Sequence, residues 1–217
     1  MITMNRCNRL ALLVVYAALG ACASNPPPPA PQRMASQTPV HKAVVDTGKG
    51  DPQARFAAAL ALMHDGRNDE AEIALLVLSQ DFPQFSGPST DLGILYAKAK
   101  KNAAAVSAFN AAIKARPDNA VALNWLGQLS RERGDYPHAE QFYRRAIAAQ
   151  AGYAPAHFNL AILYDAAMHR PDLALVQYQA YEKLAGADAQ PMVAVWIHEL
   201  QGQTIAAGGT PPAGASQ

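Results

Sequence analysis

Side chains that could do covalent or acid–base chemistry are few in this 217-residue chain, and their spacing does not suit it. The two cysteines, Cys7 and Cys22, both precede every stretch with helical periodicity, so the sequence implies neither a disulfide framework nor a cysteine-based metal site. Six histidines, His41, His64, His138, His157, His169 and His198, never recur at i+3 or i+4, the spacing by which one helix offers two imidazoles to a metal. No G-x-G-x-x-G, G-x-x-x-x-G-K-[ST] or H-E-x-x-H occurs. The acidic pair Asp69-Glu70 falls at an expected helix start, where the helix dipole favours negative charge. These patterns imply no catalytic residue, no metal and no cofactor. Cys22 is the one reactive side chain whose surroundings call for an explanation.

Residues 1–9 carry Arg6 and Arg9 and no acid, and the apolar run from Leu10 to Leu19 follows. A run of about ten residues, against about 20 for a membrane-spanning helix, reads as the core of a signal peptide. It ends Leu19-Gly20-Ala21-Cys22, which resembles the lipobox of bacterial lipoprotein signal peptides at all four positions. The resemblance implies cleavage after Ala21 and a covalent lipid on Cys22. Several acyl chains anchor stably, because each buried CH₂ contributes about 0.8 kcal/mol. Ala23 stands where lipoproteins retained in the inner membrane have Asp, so the implied location is the periplasmic face of the outer membrane.

Loss of Arg6 and Arg9 with a leader at 1–21 leaves 16 basic against 17 acidic residues, a formal balance of −1. A near-neutral body lacks the basic surplus that neutralises phosphates, which argues against nucleic acid. Residues 22–50 then form a Pro-rich stretch, with Pro26 to Pro29, Pro31 and Pro39 and almost no apolar periodicity. Such a segment cannot bury a core of its own. At roughly 3.1 Å per residue in polyproline II it would act as a spacer of several tens of ångströms.

The elements that follow are periodic. Leu92, Leu126 and Leu160 recur at intervals of 34 residues, as do Gly93, Gly127 and Ala161; Ala71, Ala105 and Ala139; and Leu75, Phe109 and Tyr143. Pro83 and Pro117 close two units, and Ala151 stands in the third. This 34-residue pattern resembles the tetratricopeptide repeat (TPR), each unit a pair of helices that buries its apolar face only by stacking on its neighbours. The fold class implied is all-α: a right-handed α-solenoid of about four TPR helix pairs over 51–201, with units 52–85, 86–119, 120–153 and 154–188. A C-terminal capping helix at 191–201 places Val193, Trp196, Ile197 and Leu200 on one face, with Trp196 as a packing residue. Residues 202–217, rich in Gly, Ala and Pro, read as a disordered tail. In the fourth unit one extra residue is expected near Met168 to Pro171. Gly127 is expected against Ala139 and Ala146, where small residues let two helices approach.

The resemblance also implies where a partner binds. In TPR proteins, positions 2, 5, 9, 12 and 13 of each first helix line a concave groove filled by an extended peptide or a helix. On this chain the binding candidates are Phe56, Leu60, Met63, Thr90, Ile94, Asn124, Gln128, Arg131, Phe158 and Ile162, with Asn124 and Gln128 suited to a peptide backbone. The implied function is an outer-membrane-anchored periplasmic scaffold that binds an envelope protein and takes no small-molecule substrate. Its architecture is similar to that of pilotin-like lipoproteins of type IV and Flp (Tad) pilus assembly, which act on secretins. A regulator of peptidoglycan synthesis or hydrolysis acting by protein contacts is the alternative.

Overall fold

The computed structural model describes residues 50–206. The leader, the lipobox Cys22, the Pro-rich stretch up to residue 49 and residues 207–217 lie outside the described residues. Four helix pairs follow one another: α1 Pro52–His64 with α2 Asn68–Asp81, α3 Ser86–Lys98 with α4 Asn102–Ala115, α5 Ala120–Glu132 with α6 Tyr136–Ala149, and α7 Ala154–Ile162 with α8 Pro171–Ala185. A ninth helix, α9, runs Pro191–Ala206. It extends five residues past the expected end at 201, so the start of the expected tail is helical.

Local chemistry sets the ends. Asp51 caps α1 by accepting from the N–H groups of Gln53 and Ala54 at 3.1 and 3.2 Å, with Pro52 in the first turn, where its missing N–H costs nothing. Each turn inside a unit closes the same way. The N–H of Arg67 reaches the carbonyl of Leu62 and that of Gly66 reaches Met63, and the pairs Lys101 to Tyr96 with Lys100 to Ala97, and Asp135 to Ser130 with Gly134 to Arg131, repeat the pattern. This Schellman arrangement demands a left-handed residue, supplied by Gly66 and Gly134 at φ of 74° and 77°, but by Lys100 at 58°.

In the fourth unit the extra residue is not in the turn. It is absorbed earlier, as a π-helical turn at Leu163–Ala167 in which the Met168 N–H donates to the carbonyl of Leu163. Pairing is undisturbed beyond it, and His169 takes the left-handed position at φ 52°.

The core clusters join one unit's second helix to the next unit's first, take in small residues such as Ala59 and Ala97 from the first helices behind, and the last of them runs on through the fourth unit to α9. Ala71 and Leu75 pack with Leu92 and Leu95; Ala105, Phe109 and Ala112 with Ala122, Leu126 and Leu129; Tyr143 with Leu160 and Leu163; Tyr178 and Tyr181 with Val193, Ile197 and Leu200. The α9 helix thus fills the place of a fifth first helix. At the opposite end Ala54, Ala58 and Ala61 are exposed at the positions that hold Pro88, Leu92 and Leu95 one unit later, all buried. Among the described residues no unit covers that end, and small side chains keep its apolar area low.

Gly127 does not serve to bring it against Ala139 and Ala146, as the sequence suggested. It is a notch for the Tyr143 ring: a Cβ built on Gly127 would lie 2.5 Å from that ring, and one on Gly93 would lie 2.6 Å from the Phe109 ring. Unit 1 pairs Ala59 with Leu75, both fully buried, whereas unit 4, with its π-helical turn, buries the Tyr178 ring with Ala161 in the glycine column. Gly127→Ala should therefore cost about 1–3 kcal/mol in urea unfolding. Combined with Tyr143→Leu, it should cost clearly less than the sum of the two single changes. Additive losses in that double-mutant cycle would show that the glycine does not serve the ring.

Candidate functional site

Because α3 touches α5 and α5 touches α7, while α2, α4 and α6 meet the next unit mainly through its first helix, the first helices run side by side. Their shared face is the inner one. The interval to α9 lengthens to 37 residues, from Ala154 to Pro191, but its buried Val193, Ile197 and Leu200 repeat the spacing of positions 3, 7 and 10, so Met192, Val195 and Glu199 fall at the groove positions 2, 5 and 9. Met192 and Val195 are 52% and 45% exposed. Sequence reasoning treated α9 as a lid and missed them, although the spacing of Val193, Ile197 and Leu200 already aligns it with a first helix.

Position 5 is not a groove position in the middle of the stack. Asn124 is buried at 3% exposure, and its Oδ1 accepts from the Nδ2 of Asn159, position 6 of the next unit, at 2.9 Å. Thr90 is buried too: its Oγ1 accepts from the Asn119 Nδ2 at 2.8 Å and donates to the carbonyl of Ser86 at 2.8 Å, while the Asn119 Oδ1 caps α5 through the Ala122 N–H. Phe158 lies against Trp196 of α9, with ring centroids 6.4 Å apart, and against Tyr181 at 4.8 Å. Asn124, Thr90 and Phe158, expected as partner contacts, instead seal one unit to the next, and Trp196 is a packing residue as expected. A buried amide whose oxygen is already taken by Asn159 is not presented to a peptide. Asn124→Ala would leave the Asn159 donor buried without its acceptor.

The residues left open to the groove are Leu60, 39% exposed, with partly buried Met63, Ile94, Gln128, Arg131 and Ile162 beside exposed His64, Lys98 and Glu132. Phe56 is half-covered, edge-on to Phe85 at 5.1 Å. Arg131 lies near the Tyr143 hydroxyl, but its Nε and that hydroxyl are both buried without a hydrogen bond. Burial pushes the Tyr143 hydroxyl up to about 12, with Arg131 pulling the other way. Tyr178 is likewise raised, first by burial and then by Asp165, to which its hydroxyl donates at 3.4 Å. These phenols stay neutral and can only donate and accept.

Asp91 stands apart. It occupies position 6 of α3, where Asn159 and Trp196 reach back to the preceding unit, yet its carboxylate has no hydrogen bond or ion pair among the described residues. Burial pushes its pKa up to about 6. Among the described residues no group of three or more His, Cys, Asp or Glu could hold a metal, and no helix is long and apolar enough to cross a membrane.

Comparison with known proteins agrees with this geometry. Residues 90–155, from the second unit into the fourth, match the tetratricopeptide repeat family TPR_16. The fold is therefore a TPR-like solenoid, the class of scaffold whose grooves bind protein partners. Among solved structures, PilF of Pseudomonas aeruginosa is similar at a TM-score of 0.61 and 19% identity, over 71% of this chain and 69% of that one. Two structures of MamA are similar at 0.59 and 0.55, with 20% and 19% identity, over 72% and 62% of this chain and 86% and 78% of theirs. No curated protein sequence matches the chain.

The Asp91 carboxyl has a testable consequence. Its folded pKa lies above the unfolded value near 4, so folding favours the protonated form. Stability from this group is fully present below pH 4, falls as the pH rises to about 6, and stays lost above it. Asp91→Asn should raise the urea midpoint at pH 7.5 by the equivalent of about 1–2 kcal/mol, and the gain should shrink as the pH falls to 4. A gain equal at both pH values would assign the effect to something other than the buried charge.

Proposed function

We propose that this chain is an outer-membrane lipoprotein, held at the periplasmic face through a lipid on Cys22, whose solenoid binds another envelope protein during assembly of a pilus and its secretin and performs no catalysis. The observation that carries the binding part is the inner face itself. Leu60, Met192 and Val195 are exposed there at the two ends of the stack, and on α9 the stacking residues Val193, Ile197 and Leu200 beside them are buried. Apolar side chains kept in a groove are unfavourable in water unless something covers them, and a rim of polar groups such as Gln128 and Glu132 suits a protein segment. The anchor rests on the lipobox match and Ala23, and the pilus step on resemblance to pilotin-like lipoproteins. The likeness of fold to PilF supports the solenoid that this step requires.

Affinity capture from detergent-solubilised envelope tests the reading. The wild-type chain should retain a secretin or another pilus component. The triple variant Leu60→Ala, Gln128→Ala, Val195→Ala should lose about tenfold or more of that capture, while its melting temperature, set by buried columns these changes do not touch, should fall by no more than about 2–4 °C. Unchanged capture by the variant would place the contact elsewhere, and a cell-wall enzyme in place of a pilus component would replace the pilus assignment. Cys22→Ser should abolish acyl labelling; labelling that persists would contradict the anchor.

A further inference from the structure

We propose that the N-terminal half of the groove is a pocket for a basic side chain, in which an arginine or lysine from an extended segment of the partner enters between the Phe56 ring and the Asp91 carboxylate. The proposal rests on the reading that the groove receives a protein segment. Three observations converge on it. First, the Phe56 ring touches α3 at Gly87, since a Cβ there would lie 3.0 Å from two of its atoms, and Asp91 is one turn further along the same face of α3. An aromatic ring and a carboxylate on adjoining surfaces are the two groups that hold a cation, one by its quadrupole and the other by charge-assisted hydrogen bonds.

Second, the chain does not satisfy Asp91 itself. Arg55, on the neighbouring helix, is committed to Asp81 at 2.8 Å, Lys101 to Glu72 at 3.2 Å, and Lys98, two turns on, forms no ion pair with it. The corresponding residue of the fourth unit, Asn159, does have a partner within the stack, so the vacancy is particular to this unit. A half-buried carboxylate without a partner costs the free protein stability, which an incoming cation would restore.

Third, Leu60 stands one turn beyond Phe56 on α1 and is exposed. The methylene stem of arginine or lysine would cover it while the charged head reaches Asp91.

Fluorescence anisotropy with the full chain and two labelled alanine-based octapeptides tests this. One carries a single central arginine and the other carries citrulline, its neutral isostere, at the same place. The arginine peptide should bind about tenfold more tightly. Asp91→Asn, which folds at least as well as the wild type if the carboxylate is unfavourable, should bring the two peptides to parity. Phe56→Leu should reduce the ratio, and Lys114→Gln, exposed on the second helix α4 and outside the groove, should leave it unchanged. Equal binding of the two peptides to the wild type, no binding of either at millimolar concentration, or a preference that survives Asp91→Asn would overturn the proposal. So would free argininamide binding as tightly as the arginine peptide, since the site would then take small cations and not a chain segment. Failure here, with capture of the partner still lost in the Leu60, Gln128 and Val195 variant, would remove the basic pocket and leave the groove.

Discussion

The contact on which the two middle repeats depend is an aromatic ring seated where a glycine leaves out its Cβ. With the Phe109 ring over Gly93 and the Tyr143 ring over Gly127, each middle pair closes around one large, fully buried side chain. The distance between the two helices of a unit follows from that ring. So does the direction in which the second helix presents Ala105 and Ala112, or Ala139 and Ala146, to the unit that follows. Interiors are packed too tightly to absorb a methyl group at such a point. A solenoid repeats whatever geometry its unit has, so one local fit is propagated along the stack.

Much of this was legible in the amino-acid sequence because it is local and periodic. The unit boundaries at Pro52, Ser86, Ala120 and Ala154 coincide with the starts of the first helices, since a 34-residue spacing survives substitution in any one column. What the spacing could not show was which side chain fills which space. Gly127 looked like a site of helix approach, because a small residue in a periodic column suits both a backbone contact and a ring. Only the packing of Tyr143 separates the two. The extra residue of the fourth unit was detectable but misplaced, because an insertion into a π-helical turn shifts every later column just as an insertion into the following turn does.

The groove was legible in outline and wrong in detail for a physical reason. Positions counted on an isolated helix say which side chains point the same way, but not which of them the next unit covers. Asn124 and Phe158 point toward the inner side and are then met by Asn159 and Trp196, so their polarity and aromaticity serve the joints between units. The opposite error hid Met192 and Val195: a helix that ends a stack also continues its inner surface. What remains open is a groove with apolar ends, an amide and an arginine in its middle, and an unpartnered carboxylate beside Phe56. Sequence alone could not single out Asp91, because its lack of a partner depends on Arg55 and Lys101 being held elsewhere.

Joints and groove thus divide the first helices between them. Between units the stacking side is buried, and the side that faces inward varies from unit to unit. Site-specific photo-crosslinking in cells tests that division most directly. A photoreactive residue placed singly at Leu60, Gln128 or Val195 should yield a common protein adduct, while the same residue at Ser107 or Gln141, exposed at corresponding places on second helices, should not. Adducts arising from the second-helix positions, with none from the inner face, would contradict the account.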